Sequence, residues 1–196
     1  MRGGSARGGK AGRSSGASYS CGAMRPRADE VLKSALWTFD EYIAPEVTEP
    51  FAKSLTFTVG NLMRNVLARI EHEGQALFDD NRETRAVLDE IRTWIENTPA
   101  AAERSDLVVV AQGITEEQGQ RYWTPDEYPS LAKVTEESLA LRALLVAAIA
   151  ALQAAKQDLG ADAGYLATRR SIRRCIKHQL EREAVWSTEA LEGPRR

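Results

Sequence analysis

Residues 131–157 read LAKVTEESLALRALLVAAIAALQAAKQ, and their pattern is the strongest indication of the fold class. Alanines recur there at every fourth position and form a row of small side chains, against which a neighbouring backbone can pack closely. The members of this row are Ala143, Ala147, Ala151 and Ala155. Because the middle of the stretch is apolar almost all round, it is typical of a helix that other helices cover on several sides. We therefore predict a central helix of a bundle.

The same stretch is too short to predict a transmembrane span. Its uncharged part begins after Arg142 and ends before Gln153, well under the roughly 18 residues that a spanning helix needs. No apolar segment near residue 1 resembles a signal peptide. The two cysteines, Cys21 and Cys175, lack the spacing of a disulfide framework or a zinc site. These features predict a cytoplasmic protein without a membrane partner.

Composition and periodicity predict an all-α protein. Alanine, leucine, glutamate and arginine dominate, while valine and isoleucine do not form alternating runs. Apolar residues with helical spacing predict further helices over 29–43, 50–78, 81–97 and 163–185. We expect one domain over residues 28–186, folded as an antiparallel bundle of four main helices with a short extra helix or lid between the third and fourth.

The helix over 50–78 carries an apolar stripe that we assign to the core. Its members are Leu55, Val59, Leu62, Met63, Val66, Leu67 and Ile70. The segment FDDN, residues 78–81, contains residue types that favour turns and helix caps. We therefore predict that this helix ends there and that the next helix begins.

The ends of the chain differ from its middle. Residues 1–27 are rich in Gly, Ser and Arg, with six basic side chains and no acid. We predict that they form a disordered head, or that they precede a true start at Met24. The remaining 20 basic and 28 acidic side chains leave a net charge of about −8, which argues against nucleic-acid binding. Residues 187–196 are predicted to fray.

Five cations lie within nine residues of the last helix. They form two helical rows, Arg169, Arg173 and Lys177 in one and Arg170 and Arg174 in the other. Guanidinium groups bind carboxylates and phosphates, so the stripe predicts contact with an anionic ligand or with an acidic helix of another protein. The alternative is internal pairing, either with acids such as Asp89 and Glu90 on a neighbouring helix or of Arg174 with acids such as Glu181 on its own helix.

The connection before the central helix is rich in aromatic residues. Tyr122, Trp123 and Tyr128 lie close together around Pro125 and Pro129. Two interpretations stay open: an aromatic lid at the end of the bundle that contacts a ligand or partner, or side chains that attach the loop to the core.

Beside the apolar stripe of the 50–78 helix lies a polar seam of small residues: Ser54, Thr58, Asn61, Asn65, Ala68 and His72. One hypothesis is a pocket lined by Asn61, Asn65 and His72, with His178 opposite; the other is a solvated flank. Neither histidine occurs in the Glu-x-x-His order of ferritin-like dimetal sites. We therefore predict no metal ion and no cofactor.

Residues 55–74, LTFTVGNLMRNVLARIEHEG, follow LWTFDEYIAPEV at 36–47. Together they resemble the opening of an uncharacterised family of small bacterial helical proteins, encoded beside acyl-CoA dehydrogenases and aminoglycoside-phosphotransferase-like kinases. The matching residues are Phe57, Val59, Asn61, Arg69 and Glu73, with offsets that slip by one residue. The resemblance covers the first third of the chain beyond the head and implies an accessory role.

The leading functional prediction is a non-catalytic accessory or interaction protein of a bacterial metabolic enzyme, with the arginine stripe or the aromatic loop as its contact surface. The alternative is a ligand- or metal-binding helical-bundle enzyme that uses the polar seam and His178. The sequence leaves a homo-oligomer open, and it contains no helix-turn-helix pattern that would predict DNA recognition.

Overall fold

The computed structural model describes residues 26–124 and 126–190, with the side chains of residues 186 and 188–190 left out. This part contains helices and no β-strand, which confirms the all-α class. The helices are α1 (Ala28–Thr38), a π-helical turn (Phe39–Ile43), a 3-10 turn (Ala44–Glu46), α2 (Pro50–Asn97), α3 (Pro99–Ala102), α4 (Ser105–Gly119), α5 (Leu131–Ala154), α6 (Lys156–Leu159) and α7 (Ala163–Ala190). Residues 1–25 of the predicted head, with Cys21, and residues 191–196 of the predicted tail lie outside the described residues.

Helix α2 runs unbroken for 48 residues, so the turn predicted at 78–81 is wrong. The reason is tertiary. Asp80 is buried and accepts a hydrogen bond from Arg182, while Asn81 donates to the Val134 carbonyl at 2.9 Å. Side chains that find partners on other helices no longer compete with the backbone for its hydrogen bonds, so residues with a preference for turns continue the helix.

The C-terminal half of α2 is the hub of the bundle. It packs directly against α4, α5 and α7. α5 and α7 contact each other through side chains, since the Tyr165 hydroxyl donates to the Leu152 carbonyl at 2.9 Å and Arg142 pairs with Glu183 at 3.3 Å. α7 runs antiparallel to α2, since Asp162 near its start bonds Trp94 and His178 near its end bonds Glu83. The short connection through α3 reverses the chain into α4, which at 15 residues is a full bundle member.

The hydrophobic core fills the space between these four helices. The apolar residues whose helical spacing predicted the helix over 81–97 are buried in this core: Val87, Leu88, Ile91, Trp94 and Ile95. α7 begins close against this core, because a Cβ at Gly164 would lie only 2.4 Å from a ring carbon of Trp94. The Trp94 indole donates to Asp162 at 2.9 Å, and the same carboxylate caps α7 by accepting from the Tyr165 amide at 2.7 Å.

Residues 28–75 form a helical arm that extends from the bundle. In the arm, α1 packs back against residues 60–71 of α2. The Phe39 ring lies against Gly60, and Lys33 pairs with Glu71 at 2.6 Å. α1 therefore covers the face of α2 that carries Gly60 and Ala68, both of which are buried.

The opposite face of the arm is apolar and open. Leu55, Val59, Leu62, Val66 and Ile70 form this face, which we name the arm stripe, and every one of them is exposed. Their assignment to the core is therefore wrong, whereas Met63 and Leu67 are half-buried. The pattern identified an apolar face correctly, but α1 packs on the other side of the helix.

Helix α5 is also less covered than predicted. Its inner face is buried through Val134, Leu141, Leu145, Ala148 and Leu152. The alanine row is divided, since Ala151 and Ala155 are buried while Ala143 and Ala147 are exposed. Helix α2, and not α5, takes the central position, because α2 packs against α4, α5 and α7, whereas Leu139 and Val146 on the outer side of α5 are exposed.

Candidate functional site

A layer of polar side chains replaces the hydrophobic core at the end of the bundle nearest the arm. On its α7 side, Arg182 donates hydrogen bonds to Asp80 and, at 2.5 Å, to Glu83. His178 Nδ1 lies 2.7 Å from the same Glu83 carboxylate. This network joins one helical turn of α2 to the C-terminal part of α7.

The second half of the polar layer joins α2 to α4 and α5. Glu137 on α5 is buried and accepts from Asn81 at 2.9 Å and from the Arg85 guanidinium at 2.6 Å. Arg85 also donates to the Glu117 carbonyl at 3.3 Å, near the end of α4. Four helices therefore meet in one hydrogen-bonded layer.

The protonation of this layer follows from burial and pairing. Burial raises the pKa of Asp80 despite its bond to Arg182. Burial also acts to raise the pKa of Glu83, but the hydrogen bonds from Arg182 and His178 outweigh it, and the pKa lies below its usual value. The Cys175 thiol nearby is fully buried, and that burial raises its pKa, which makes it a poor nucleophile.

The hydrogen bonds and ion pairs of the polar layer hold the helices together. An arginine binds each of its buried carboxylates, so none is free to act as a base or a ligand. Within the described ranges, no group of three or more His, Cys, Asp and Glu side chains is arranged to hold a metal ion.

Sequence reasoning missed these residues because it placed a turn where the layer begins. A signal was present: Asp80, Thr84, Leu88, Ile91 and Ile95 follow the i, i+3/i+4 spacing of one helical face. Extending the core face of the 81–97 segment backwards would have placed Asp80 and Thr84 in the interior.

The predicted arginine stripe lies on the outer surface of α7, beside a groove between α5 and α7. Arg169 and Arg173 line this groove, whose floor is Ile149, Ile172 and Ile176 and whose volume is about 190 Å³. We name this surface the basic groove. Of the floor residues beside the cations, Ile172 is buried, and Ile149 and Ile176 are half-buried.

The cations of the stripe differ in their contacts. The Arg169 guanidinium stacks on the Tyr165 ring, with its carbon 5.8 Å from the ring centroid. Arg174 donates to the Ser171 hydroxyl at 3.3 Å, and Lys177 forms an exposed pair with Glu181 at 3.5 Å. Arg170 and Arg173 form no ion pair with any residue of the described part. The alternative pairing with Asp89 and Glu90 is wrong for Asp89, which instead pairs with Arg92 at 2.6 Å.

The aromatic loop is attached to the bundle through two of its side chains. The Tyr122 hydroxyl donates to Glu117 at 2.9 Å, and the Trp123 ring lies 6.4 Å from the Phe78 ring on α2. Burial and the Glu117 carboxylate raise the pKa of Tyr122 to about 12. Tyr128, in contrast, is almost fully exposed. Tyr122 and Trp123 therefore fix the loop in place, as the second interpretation of this segment holds.

The members of the predicted polar pocket do not meet. Asn61, Asn65 and His72 are half-buried in the arm, whereas His178 pairs with Glu83 inside the bundle. His72 precedes Glu83 by eleven residues on the same helix, so a rise of roughly 16 Å separates their levels. The prediction of a pocket in which His178 lies opposite the polar seam is therefore wrong.

One helix of the described part, α5, is long and apolar enough to cross a membrane by length and composition alone. The sequence had indicated a shorter stretch, because only its central part is free of charges. Helices buried in the core of a bundle have the same composition, and the inner face of α5 is packed against α2 and α4.

No family model, no curated protein and no solved structure matches this chain.

Proposed function

We propose that this chain is a non-catalytic interaction protein and that it binds an acidic amphipathic helix of another protein on the basic groove. The observation that carries the proposal is that Arg169 and Arg173, which form no ion pair within the described part of the chain, line a groove with an apolar floor of isoleucines. The resemblance of residues 55–74 to a family encoded beside metabolic enzymes favours such an enzyme as the partner.

The apolar part of this surface extends beyond the floor of the groove. Val146 and Leu180 are largely exposed, and each lies within one helical turn of a floor residue, Ile149 and Ile176 respectively. Since α5 and α7 run antiparallel, both side chains lie at the same end of the groove. They lengthen the apolar strip to the dimensions that the face of a helix needs.

The charges favour an acidic partner. Arg169 and Arg173 border the groove, and Lys177 follows on the same helical row. On the face of an incoming helix, carboxylates spaced three or four residues apart would meet this row. The rest of the chain is acidic, so the row also orients an approaching partner.

The size of the groove argues for a protein and not a small molecule. Its volume of about 190 Å³ lies below the roughly 300–1,000 Å³ typical of ligand pockets. Helix recognition instead needs a shallow apolar strip with charged borders. In the polar layer, arginines bind the buried carboxylates and join the helices, so the proposal gives this layer a structural role.

The proposal is tested with a photo-reactive amino acid in place of Val146, in the cells that make the protein. The matched control is the same replacement at Val109 on α4, because the two valines are 66% and 65% exposed. We expect a cross-link from position 146 to an acidic amphipathic segment of another protein and little from position 109. Arg173→Glu combined with Lys177→Glu should reduce the cross-linked fraction at least tenfold.

Equal cross-linking at both valines, or a yield at position 146 that charge reversal does not change, would contradict the proposal. An adduct with lipid or nucleic acid would also contradict it, because each would identify a different class of partner.

A further inference from the structure

We propose that a second copy of the same chain covers the arm stripe, and that the two α2 helices pair antiparallel about a two-fold axis between residues 62 and 63. This proposal is independent of the basic groove, which lies on the bundle and not on the arm. It gives the chain two separate contact surfaces, one for itself and one for another protein.

The position of the arm stripe is the first reason. At 100° per residue, Leu62 lies about 160° around the helix from Gly60, which α1 covers. The same spacing places Ile91, at the centre of the bundle core, within about 20° of Leu62 and Val66. The stripe is therefore the core face of α2 continued beyond the end of the bundle, where no described element packs on it.

The area of the stripe is the second reason. Five aliphatic side chains, each roughly half exposed, present about 400 Å² of contiguous apolar surface, which is in the range of interaction patches. A standard interface buries about 800 Å² on each partner, somewhat more than half of it apolar. One stripe from each copy, with its polar borders, meets this requirement.

The spacing of the stripe is the third reason, because it is nearly the same in both chain directions. In an antiparallel pair centred between residues 62 and 63, Leu55 lies opposite Ile70 and Val59 lies opposite Val66. Leu62 then lies opposite the half-buried Met63 at the axis. A two-fold interface must be self-complementary in this way.

The charges distinguish the antiparallel pair from a parallel one. Arg69 and Glu73 border the C-terminal end of the stripe. In a parallel pair, each would face its own copy, which places like charges together. In the antiparallel pair, Arg69 lies opposite Thr56 and Glu73 lies opposite Ala52, so no like charges meet.

The remaining sequence of the chain is a poor substitute for a second copy. Residues 1–25 contain no Leu, Ile, Val, Phe or Trp, and residues 191–196 contain one leucine. Covering five large aliphatic side chains requires apolar side chains of similar size. Another copy of the stripe supplies them.

The first experiment measures the mass of the full chain in solution by light scattering and by sedimentation equilibrium. The chain has a mass of 21.6 kDa, and we expect twice that value. A monomer at all concentrations up to the hundred-micromolar range would overturn the proposal.

A matched pair of variants locates the interface. Leu62→Glu places two charges beside the two-fold axis and should weaken dimerisation at least 100-fold. Because Leu62 is 61% exposed, the helical content of the variant should be unchanged, which circular dichroism checks. The control is Leu139→Glu on the outer face of α5, at 65% exposure, which should leave the dimer intact. Dissociation by the control, or an intact dimer in Leu62→Glu, would overturn the proposal.

Cysteine cross-linking tests the direction of pairing. In a chain with Cys21→Ser and Cys175→Ala, we mix Leu55→Cys with Ile70→Cys. The antiparallel pair predicts a cross-link between the two variants and none within either alone. Cross-linking of Leu55→Cys to itself would show a parallel pair and overturn the arrangement. Leu62→Glu should not change the cross-link from position 146, so failure of this proposal and failure of the basic groove are distinguishable.

Discussion

The two halves of α2 present the same kind of surface in different surroundings. In residues 76–97, the apolar face is covered by three helices, and Ile91 is fully buried. In residues 50–75, the continuation of that face is open, and Ile70 is 47% exposed. The two isoleucines share one helix and nearly one direction around its axis. The difference shows that an apolar stripe identifies a face that needs a partner, while the partner itself is set elsewhere in the chain.

The two halves also differ in what holds their helical structure. The bundle half is stabilised by burial of its apolar face, and such burial is the largest favourable contribution to folding. The arm half has α1, ion pairs such as Arg64 with Asp40 at 2.6 Å, and its covalent continuation from the bundle. Because exposed ion pairs contribute little, we expect the arm to gain most of its stability when its stripe is covered.

The largest expected effect compares the two isoleucines directly. Ile91→Ala should lower the free energy of unfolding by about 4 kcal/mol, since it leaves a cavity in a fully packed core. Ile70→Ala should lower it by less than about 0.5 kcal/mol, because its side chain already contacts water. Urea unfolding is measured at a protein concentration low enough for the chain to be monomeric. Equal losses would show that the arm stripe is covered within a single chain.

The next prediction concerns the polar layer where the two halves meet. Arg182→Met removes the cation that binds Asp80, which is only 2% exposed, and Glu83. We expect a loss of about 3 kcal/mol at pH 7, because a buried carboxylate is left without its partner. The matched control is Arg82→Met, whose exposed pair with Asp79 should contribute less than about 0.5 kcal/mol.

The pH dependence of Arg182→Met gives a second check of the same layer. Burial already raises the pKa of Asp80 and acts in the same direction at Glu83, while Arg182 opposes it at both carboxyls. Without the arginine, the folded-state pKa of each carboxyl therefore rises. A carboxyl whose folded pKa is raised binds more protons in the native state, so its stability falls as pH rises. The deficit of the variant should therefore shrink between pH 7 and pH 5. A deficit that is constant over this range would assign the effect to lost packing.

The smallest expected effect concerns the loop that fixes Trp123 against Phe78 at the start of the bundle. Tyr122→Phe removes the hydrogen bond to Glu117 and should cost about 1 kcal/mol at pH 7. The pKa of Tyr122 is raised from 10 to about 12, so its contribution is fully present below pH 10 and is lost as pH rises through about 12. The difference between wild type and variant should narrow over that range. Tyr128→Phe, at an exposed position, should show no such change.

Much of the bundle could be predicted from the sequence. The spacing of Val87, Leu88 and Ile91 identified a buried face, and the composition identified the all-α class. The helical conformation of residues 78–81 could not be predicted from the local sequence, because Asp80 and Asn81 favour caps and turns. In the bundle, Arg182 and the Val134 carbonyl bind their side chains, and the helix continues. Those partners lie far away in sequence, and only the packed bundle brings them together.

The candidate surfaces divide in the same way. The arginine row of α7 could be predicted, since helical spacing alone places Arg169, Arg173 and Lys177 on one face. The position of this row beside Ile149 and Val146 on α5 could not be predicted, because the packing of two helices depends on all the residues between them. The expected meeting of His72 and His178 failed for the related reason that α2 continues straight through the predicted turn.

Local sequence was enough to identify most of the helical segments and the apolar faces of the helices, because helical propensity and the 3.6-residue period are local properties. Which of those faces are covered depends on how the helices pack against one another. Burial requires a second element at the right distance, and Phe39, directly after α1, lies against Gly60 on the side of α2 opposite Leu62. As a consequence, the side chains of the arm stripe are apolar but remain exposed.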